Sequence, residues 1–383
     1  MIASGQGTTS ITVNFGTTAG NVCVVAINTC GTSNSSCKSV TSCQSNACPK
    51  GNYYWLFGQF VGLDFSTVPP TPYKDGSQNG QEGHASICDC STGELLFNAF
   101  GTTLWDKNHT AITTTIVGAS STHTQCHFFT PKPGSSTLIY LFTRSNTAEG
   151  YRYTLIDRTL NGGLGDIVPG QQDIQIANFA GEKQCGIRHS NNKDVWMIIG
   201  KGTTGDIYAF LVSEDGVETT PVISSPGVGF STYGQMKASP DGSRIALSAG
   251  GTKFILYNFN RSTGAVTNPI TVNASSLYGI EFSPNGQVLY TSTLTDLYQY
   301  DITSGVPATI AASKVTIATA NTGRSPQLGY DGKIYTCRGG AFIGVIENPD
   351  VFGAGCNYDP EGITLDPTTQ TLYVIPNHIR GDD

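Results

Sequence analysis

Pro240-Asp241-Gly242-Ser243-Arg244-Ile245-Ala246-Leu247 reads as a tight turn feeding a strand. Asp-Gly supplies the positive φ, and the run that follows is β-prone and apolar. The phrase recurs on both sides. Upstream lie Ser91-Thr92-Gly93-Glu94-Leu95-Leu96-Phe97, Pro133-Gly134-Ser135-Ser136-Thr137-Leu138-Ile139-Tyr140 and Asn191-Asn192-Lys193-Asp194-Val195-Trp196-Met197-Ile198. Downstream lie Pro284-Asn285-Gly286-Gln287-Val288-Leu289-Tyr290, Asp331-Gly332-Lys333-Ile334-Tyr335 and Pro367-Thr368-Thr369-Gln370-Thr371-Leu372-Tyr373-Val374. The spacing of roughly 36 to 58 residues falls in the period band of propeller blades. Seven hairpins predict an all-β, seven-bladed β-propeller over residues 51–383.

A small-residue-rich inner strand is predicted just before each turn. These are His84–Cys88, Thr124–Phe129, Lys183–Ile187, Tyr233–Ala238, Tyr278–Phe282, Ser325–Gly329 and Glu361–Leu365. A ring made from one chain must join its first and last blades, and propellers do so by letting one terminus complete the other's blade. Tyr53–Phe57 is the expected closing strand, meeting the hairpin around Leu372–Ile375.

Residues 1–50 read differently. Ser10–Phe15 alternates with period two, Asn21–Asn28 is a second strand and Ser36–Val40 a third. Three strands do not readily close a core. The Asn28–Ser33 turn resembles the final strands of Ig-like or PKD-like repeats, which implies a partial domain of a larger chain whose other domains adjoin this one.

Composition limits the partners. The chain has 383 residues, 46 of them Gly, with 13% charged residues, Lys+Arg 21 against Asp+Glu 28 and a net charge of −7. Such a balance, with no long basic run, leaves no electrostatic footprint for nucleic acid. No apolar stretch approaches the ~18 residues of a membrane-spanning helix, and no signal peptide opens the chain. Eleven cysteines, five of them between Cys23 and Cys48, point to an oxidising compartment and an extracellular or cell-surface location.

A family resemblance emerges from several stretches taken together: Trp55-Leu56-Phe57-Gly58 with Gly62–Thr67, Glu82-Gly83-His84-Ala85, Gly93–Phe97, Leu104–His109, Pro131–Ser135 and Leu160–Asp166. Over residues 52–378 the chain resembles the large β-propellers of Bacteroidetes secreted and surface proteins found with gliding-motility-associated sorting domains. The resemblance implies type IX export and PKD-like neighbours; it brings no catalytic residues. Cys126 and Cys185 depart from it, standing where relatives carry small or apolar residues.

Chemistry-bearing residues gather on or beside three consecutive inner strands: His84, Cys88, Cys90, His123, Cys126, His127, Cys185 and His189. Their spacing lacks the compact paired motifs of a zinc site, which favours disulfides and polar histidines and leaves the metal question open. The pairings considered are Cys126–Cys185, Cys337–Cys356 and Cys43–Cys48. No cofactor is the leading expectation, with calcium through Asp64, Asp75, Asp89 or Asp106 kept as the alternative, although no Asp-x-Asp-x-Asp loop appears. Gly162–Asp166 lacks the lysine of a phosphate loop, and no Gly-x-Ser-x-Gly elbow occurs. The sequons at Asn34, Asn108, Asn260 and Asn273 read as chance matches in an Asn/Ser/Thr-rich chain. Tyr151, Tyr153, Tyr233, Tyr278 and Tyr330 read as sheet packing or as a platform for a glycan or peptide.

The leading expectation is a non-enzymatic binding or display module whose partner is a surface polysaccharide or another surface protein. The alternatives are a lactonase- or lyase-like enzyme at the channel mouth, with His84, His127, Lys183 and Arg188 as candidate lining residues, or a subunit of a surface filament.

Overall fold

A computed structural model describes residues 50–381 apart from 146, 275–276 and 321–323, without side-chain detail at 76–77, and the backbone of six short strands before residue 41. The chain divides into two compact units, Met1–Ala47 and Cys48–Asp383. In the first unit the strands pair antiparallel: Ile2–Ser4 with Thr12–Val13, Gly20–Val24 with Ser36–Val40, and Ile27–Asn28 with Gly31–Thr32.

The second unit is a propeller of seven antiparallel sheets in chain order. Blade 1 covers 54–79, blade 2 84–113, blade 3 127–177, blade 4 184–224, blade 5 236–273, blade 6 279–318 and blade 7 324–364. Blade 5 shows how the repeated phrase works. The inner strand Met236–Ala238 turns through Pro240–Ser243 into Arg244–Ser248, followed by Lys253–Phe259 and Val266–Asn273. Gly242 takes φ +69° at the tip. Asp241 accepts hydrogen bonds from Ser239 Oγ and the Ser243 amide. Blade 6 repeats this with Gly286 and Asn285, and in blade 4 Asn192 supplies the left-handed residue at φ +56°.

Alternation along each strand puts successive side chains on opposite faces of a blade. In blade 3, Ile139 and Leu141 face blade 2 and pack with Ala85, Phe97 and Leu104, whereas Tyr140 and Phe142 face blade 4 and pack with Met197 and Phe210. In blade 4, Trp196 and Ile198 turn the other way, toward Ile245 and Leu247 of blade 5. This two-faced burial explains why the strand phrases read as continuous apolar runs. The seam between blades 1 and 2 is instead polar: the Tyr54 amide donates to Cys88 Sγ at 3.3 Å, Ser86 Oγ to the Tyr54 carbonyl, and the Gly58 amide to His84 Nε2 at 3.3 Å.

Six of the seven expected inner strands begin their blades. The seventh does not. Glu361–Thr364 belongs to the edge strand Tyr358–Thr364 of blade 7, and its largely exposed, charged register suits an edge. Tyr54–Phe57 likewise does not extend the last blade. It turns through Gly58 into Gln59–Asp64 and, with Thr71–Asn79, makes a three-stranded blade of its own. The C-terminal stretch still meets this blade, as expected, because Gln59 and Gln370 exchange backbone hydrogen bonds of 2.8 and 3.1 Å. Trp55, Phe57 and Leu63 then pack with Tyr335, Ile343, Leu365 and Ile375, closing the ring.

Gly58 sits at φ +60°, and a Cβ there would lie 2.4 Å from the Gln370 carbonyl oxygen, whereas Gly170, at φ +76°, faces open space. Gly58→Ala is expected to lower unfolding stability by more than the about 1–3 kcal/mol of local backbone strain, and Gly170→Ala by no more than that strain. Urea titration of the two variants checks it; equal losses would remove the closing bridge from the account.

Candidate functional site

The axis of the ring is filled by side chains reaching across it. Gln125, just ahead of blade 3, spans to blade 5: its Nε2 donates to the Met236 carbonyl at 2.9 Å and its Oε1 accepts from the Met236 amide at 2.7 Å. Gln184 Nε2 donates to the Gln125 carbonyl at 2.7 Å, and Gln235 Nε2 to Ser325 Oγ. A glutamine suits this place because its amide can both donate and accept, satisfying strand ends that converge away from water.

Farther along, the C-terminal strap 377–381 enters the axis. Asn377 donates to the Gln184 carbonyl at 3.0 Å and accepts from Lys237 Nζ at 3.0 Å. The Arg380 amide donates to the Gly186 carbonyl, and the Arg380 carbonyl accepts from the Arg188 amide. Glu281, fully buried, lies 3.3 Å from Arg380 Nη2 and 3.8 Å from Lys237 Nζ, and accepts from the Leu328 amide at 3.0 Å. Burial holds the Lys237 ammonium down to about 8; Glu281 opposes the fall and Arg380 adds to it.

At the opposite mouth, residues entering four different blades meet. The Thr124 amide and hydroxyl lie 3.2 and 3.0 Å from Glu182 Oε2, and the same hydroxyl is 3.4 Å from Glu82 Oε2 and 3.3 Å from Tyr278 Oη. Tyr278, from blade 6, crosses the mouth to donate to Glu82. The backbones interlock as well: the Glu82 amide donates to the Ser121 carbonyl and the Glu182 amide to the Thr232 carbonyl, each at 3.1 Å. Lys183 donates to the carbonyls of Ser231, at 3.0 Å, and Tyr233. Tyr233 stands half exposed on this rim. Burial pushes the Glu82 carboxyl up to about 7; the Tyr278 hydrogen bond pulls it down and nearby Glu182 pushes it further up. Burial likewise lowers Lys183 to about 7, against the pull of Glu182.

The four residues expected to line a channel do not converge. His84 is a seam residue: Nδ1 lies 2.7 Å from Gln78 Oε1, the ring stacks on Phe100, and burial holds its pKa down to about 3. His127 Nδ1 donates to the Gly83 carbonyl at 2.7 Å, tying blade 3 to blade 2, with its pKa lowered by burial to about 4. Only Lys183 belongs to the mouth, and Arg188 lies at the other end of its strand, beside the strap.

The expected disulfides within blades are not formed: Cys126, Cys185, Cys337 and Cys356 are buried free thiols. The faces explain it. Cys126 packs back toward blade 2, where its Sγ accepts from the Ser120 amide, whereas Cys185 turns toward blade 5. Cys337 lies in the seam with blade 1 and Cys356 in the seam with blade 6, with their own sheet between them. Cys90 is disulfide-bonded, and the Cys43–Cys48 pairing lies outside the described residues. Among the described residues no three of His, Cys, Asp and Glu gather as a metal-binding set. Of the aspartates considered for calcium, Asp64 and Asp106 accept from amides of their own turns, Asp75 pairs with His109 at 3.0 Å, and Asp89 pairs with Arg158.

Sequence reasoning passed over Glu82, Thr124 and Glu182 as a group, along with the strap. A usable signal existed, since Glu82 stands two residues, and Glu182 one residue, ahead of a predicted inner strand.

Residues 1–40 match the family of PKD-like domains. No curated protein matches the chain. Among solved structures, it is similar to a Bacteroides fragilis protein provisionally described as a 6-phosphogluconolactonase, with TM-score 0.51 and 13% identity over 85% of this chain and 98% of that one. It is also similar to a Bacteroides uniformis protein of the same description (0.40, 12%, 74% and 96%) and to Hsv2 of Kluyveromyces lactis (0.46, 8%, 77% and 90%). At such identities the likeness concerns the fold alone.

The Glu82 carboxyl gives a sign-definite expectation. Held at about 7 in the fold against 4.5 unperturbed, it binds more protons folded than unfolded between those values. Its contribution is therefore fully present below the lower value and lost as pH rises through the upper one. Glu82→Gln is expected to flatten the fall in stability across this window, read from urea midpoints at stepped pH; an unchanged profile contradicts the shift.

Proposed function

We propose that the propeller is a binding module that holds a surface polysaccharide at the mouth framed by Glu82, Thr124, Glu182 and Tyr278, outside the cell or on its surface. The carrying observation is the donor and acceptor set itself. Two carboxylates, a threonine hydroxyl and a phenol from the entries to four blades face one another, and half-exposed Tyr233, whose carbonyl accepts from Lys183, stands on the same rim. Carboxylates accept hydrogen bonds from sugar hydroxyls, and an aromatic face covers the apolar side of a pyranose, so a polysaccharide would use both. The PKD-like match is compatible with an extracellular role and supports it weakly. Adhesion, attachment and gliding-related contact are roles such binding would serve.

A second reading rests on one observation, the Glu82 carboxyl held at about 7 beside Glu182. A carboxyl poised there is suited to general acid–base catalysis, and the same mouth would then turn over a sugar lactone or polysaccharide. The resemblance in fold to structures described as 6-phosphogluconolactonases is compatible with this and adds no residue to it.

A glycan array followed by calorimetry tests the binding reading. Retention of at least one polysaccharide is expected, with roughly tenfold weaker binding in Tyr233→Ala and Glu182→Gln, the loss of about one good contact. Binding unchanged in both variants, or no glycan retained, overturns it. Turnover of the retained sugar that disappears in Glu82→Gln selects the enzymatic reading instead.

A further inference from the structure

The end of the axis away from the acidic mouth holds a second, chemically opposite feature. A cavity of about 250 Å³ lies there, lined among others by Pro240, Pro284, Gly329, Gly332, His378 and Arg380. It combines turns from blades 5, 6 and 7 with the C-terminal strap, so it exists only once the strap is threaded. Tyr330, also on its wall, is 44% exposed, which places the cavity at the surface of this face.

Two side chains give it chemistry. His378 is only 6% exposed, and neither ring nitrogen has a hydrogen-bond partner in the protein. One face of its ring lies against Trp55, centroids 5.2 Å apart. An imidazole buried with both nitrogens unsatisfied is costly unless something polar meets it. Arg380 commits Nη2 to Glu281 and to the Leu328 carbonyl, at 3.3 and 3.2 Å. Its Nε and Nη1 donate to no described residue.

Charge selects the ligand. Lys237 and Arg380 share the single carboxylate of Glu281, leaving one positive charge in excess, and no described acid lines the cavity. One excess charge balances a monoanion. With Nη2 committed, the Arg380 guanidinium still offers its Nε and Nη1 hydrogens, each able to give a carboxylate a single charge-assisted hydrogen bond. The volume lies below the range of drug-sized sites. We propose that this cavity is a binding site for a small organic carboxylate of about monosaccharide-acid size, its carboxylate on Arg380 and a hydroxyl or carboxylate oxygen on His378. The site is separate from the acidic mouth, whose carboxylates would repel the same ligand.

The test titrates the full chain with acetate, D-galacturonate and neutral D-galactose, following the histidine ring signals by NMR and the heat of binding by calorimetry. Galacturonate is expected to saturate with a Kd of about 1 mM or tighter and to shift the His378 resonances, with acetate competing and galactose not. His378→Ala and Arg380→Gln should each weaken it roughly tenfold, the loss of one hydrogen bond to a charged group. If either variant fails to fold, the His378 shift in the unaltered chain decides. No saturation by either acid, equal binding of galactose, or galacturonate binding that leaves the His378 signals unmoved overturns the proposal.

Discussion

The exchange of backbone hydrogen bonds between Gln59 and Gln370 holds the ring closed, because a circle of sheets is stable only when its last member is tied to its first. Six of the seven junctions join blades that are consecutive along the chain and find each other by proximity. The contact between blades 7 and 1 joins residues some three hundred positions apart and carries the largest loop-closure cost. The apolar seam around Trp55, Tyr335 and Ile375 offsets that cost. Once the C-terminal stretch is fixed at Gln370, the strap that follows is delivered to the axis, and the polar interior depends on where it lands.

That interior obeys a second constraint. Inner strands converge where water is scarce, so their polar atoms must satisfy one another. Gln125, Gln184 and Gln235 do this across the axis, and Asn377 joins Gln184 to Lys237. Charge is sorted along the same line. Two carboxylates gather at one mouth, and two cations around one carboxylate gather at the other end. A propeller with a filled axis therefore presents two distinct faces, and the chemistry open to each differs in sign.

Much of the architecture was legible. Turn residues able to adopt positive φ, followed by apolar strands, are local properties, and Gly242, Gly286 and Asn192 occupy the conformations their identities favour. Blade number followed from counting them, although the count came out right by a compensation. The seventh phrase forms no blade, and Tyr53–Phe57, read as a closing strand, instead opens a blade that runs on to Asn79. Both stretches are β-prone, and only their partners distinguish an edge from a blade. The pairings of Cys126 with Cys185 and of Cys337 with Cys356 failed for a related reason. Sequence proximity of strands does not reveal which face a side chain takes, and Cys337 and Cys356 lie on opposite faces of one sheet.

By itself the sequence determined the repeating unit, its all-β character, the inner strands of six blades and the distinct N-terminal segment, because each follows from short-range backbone preference and period-two burial. Tertiary structure alone decided which residues share a site. Glu82, Thr124, Glu182 and Tyr278 come from four blades, and His378 reaches its cavity only by crossing the ring. Convergence on an axis is a property of the closed circle, and no local preference encodes it.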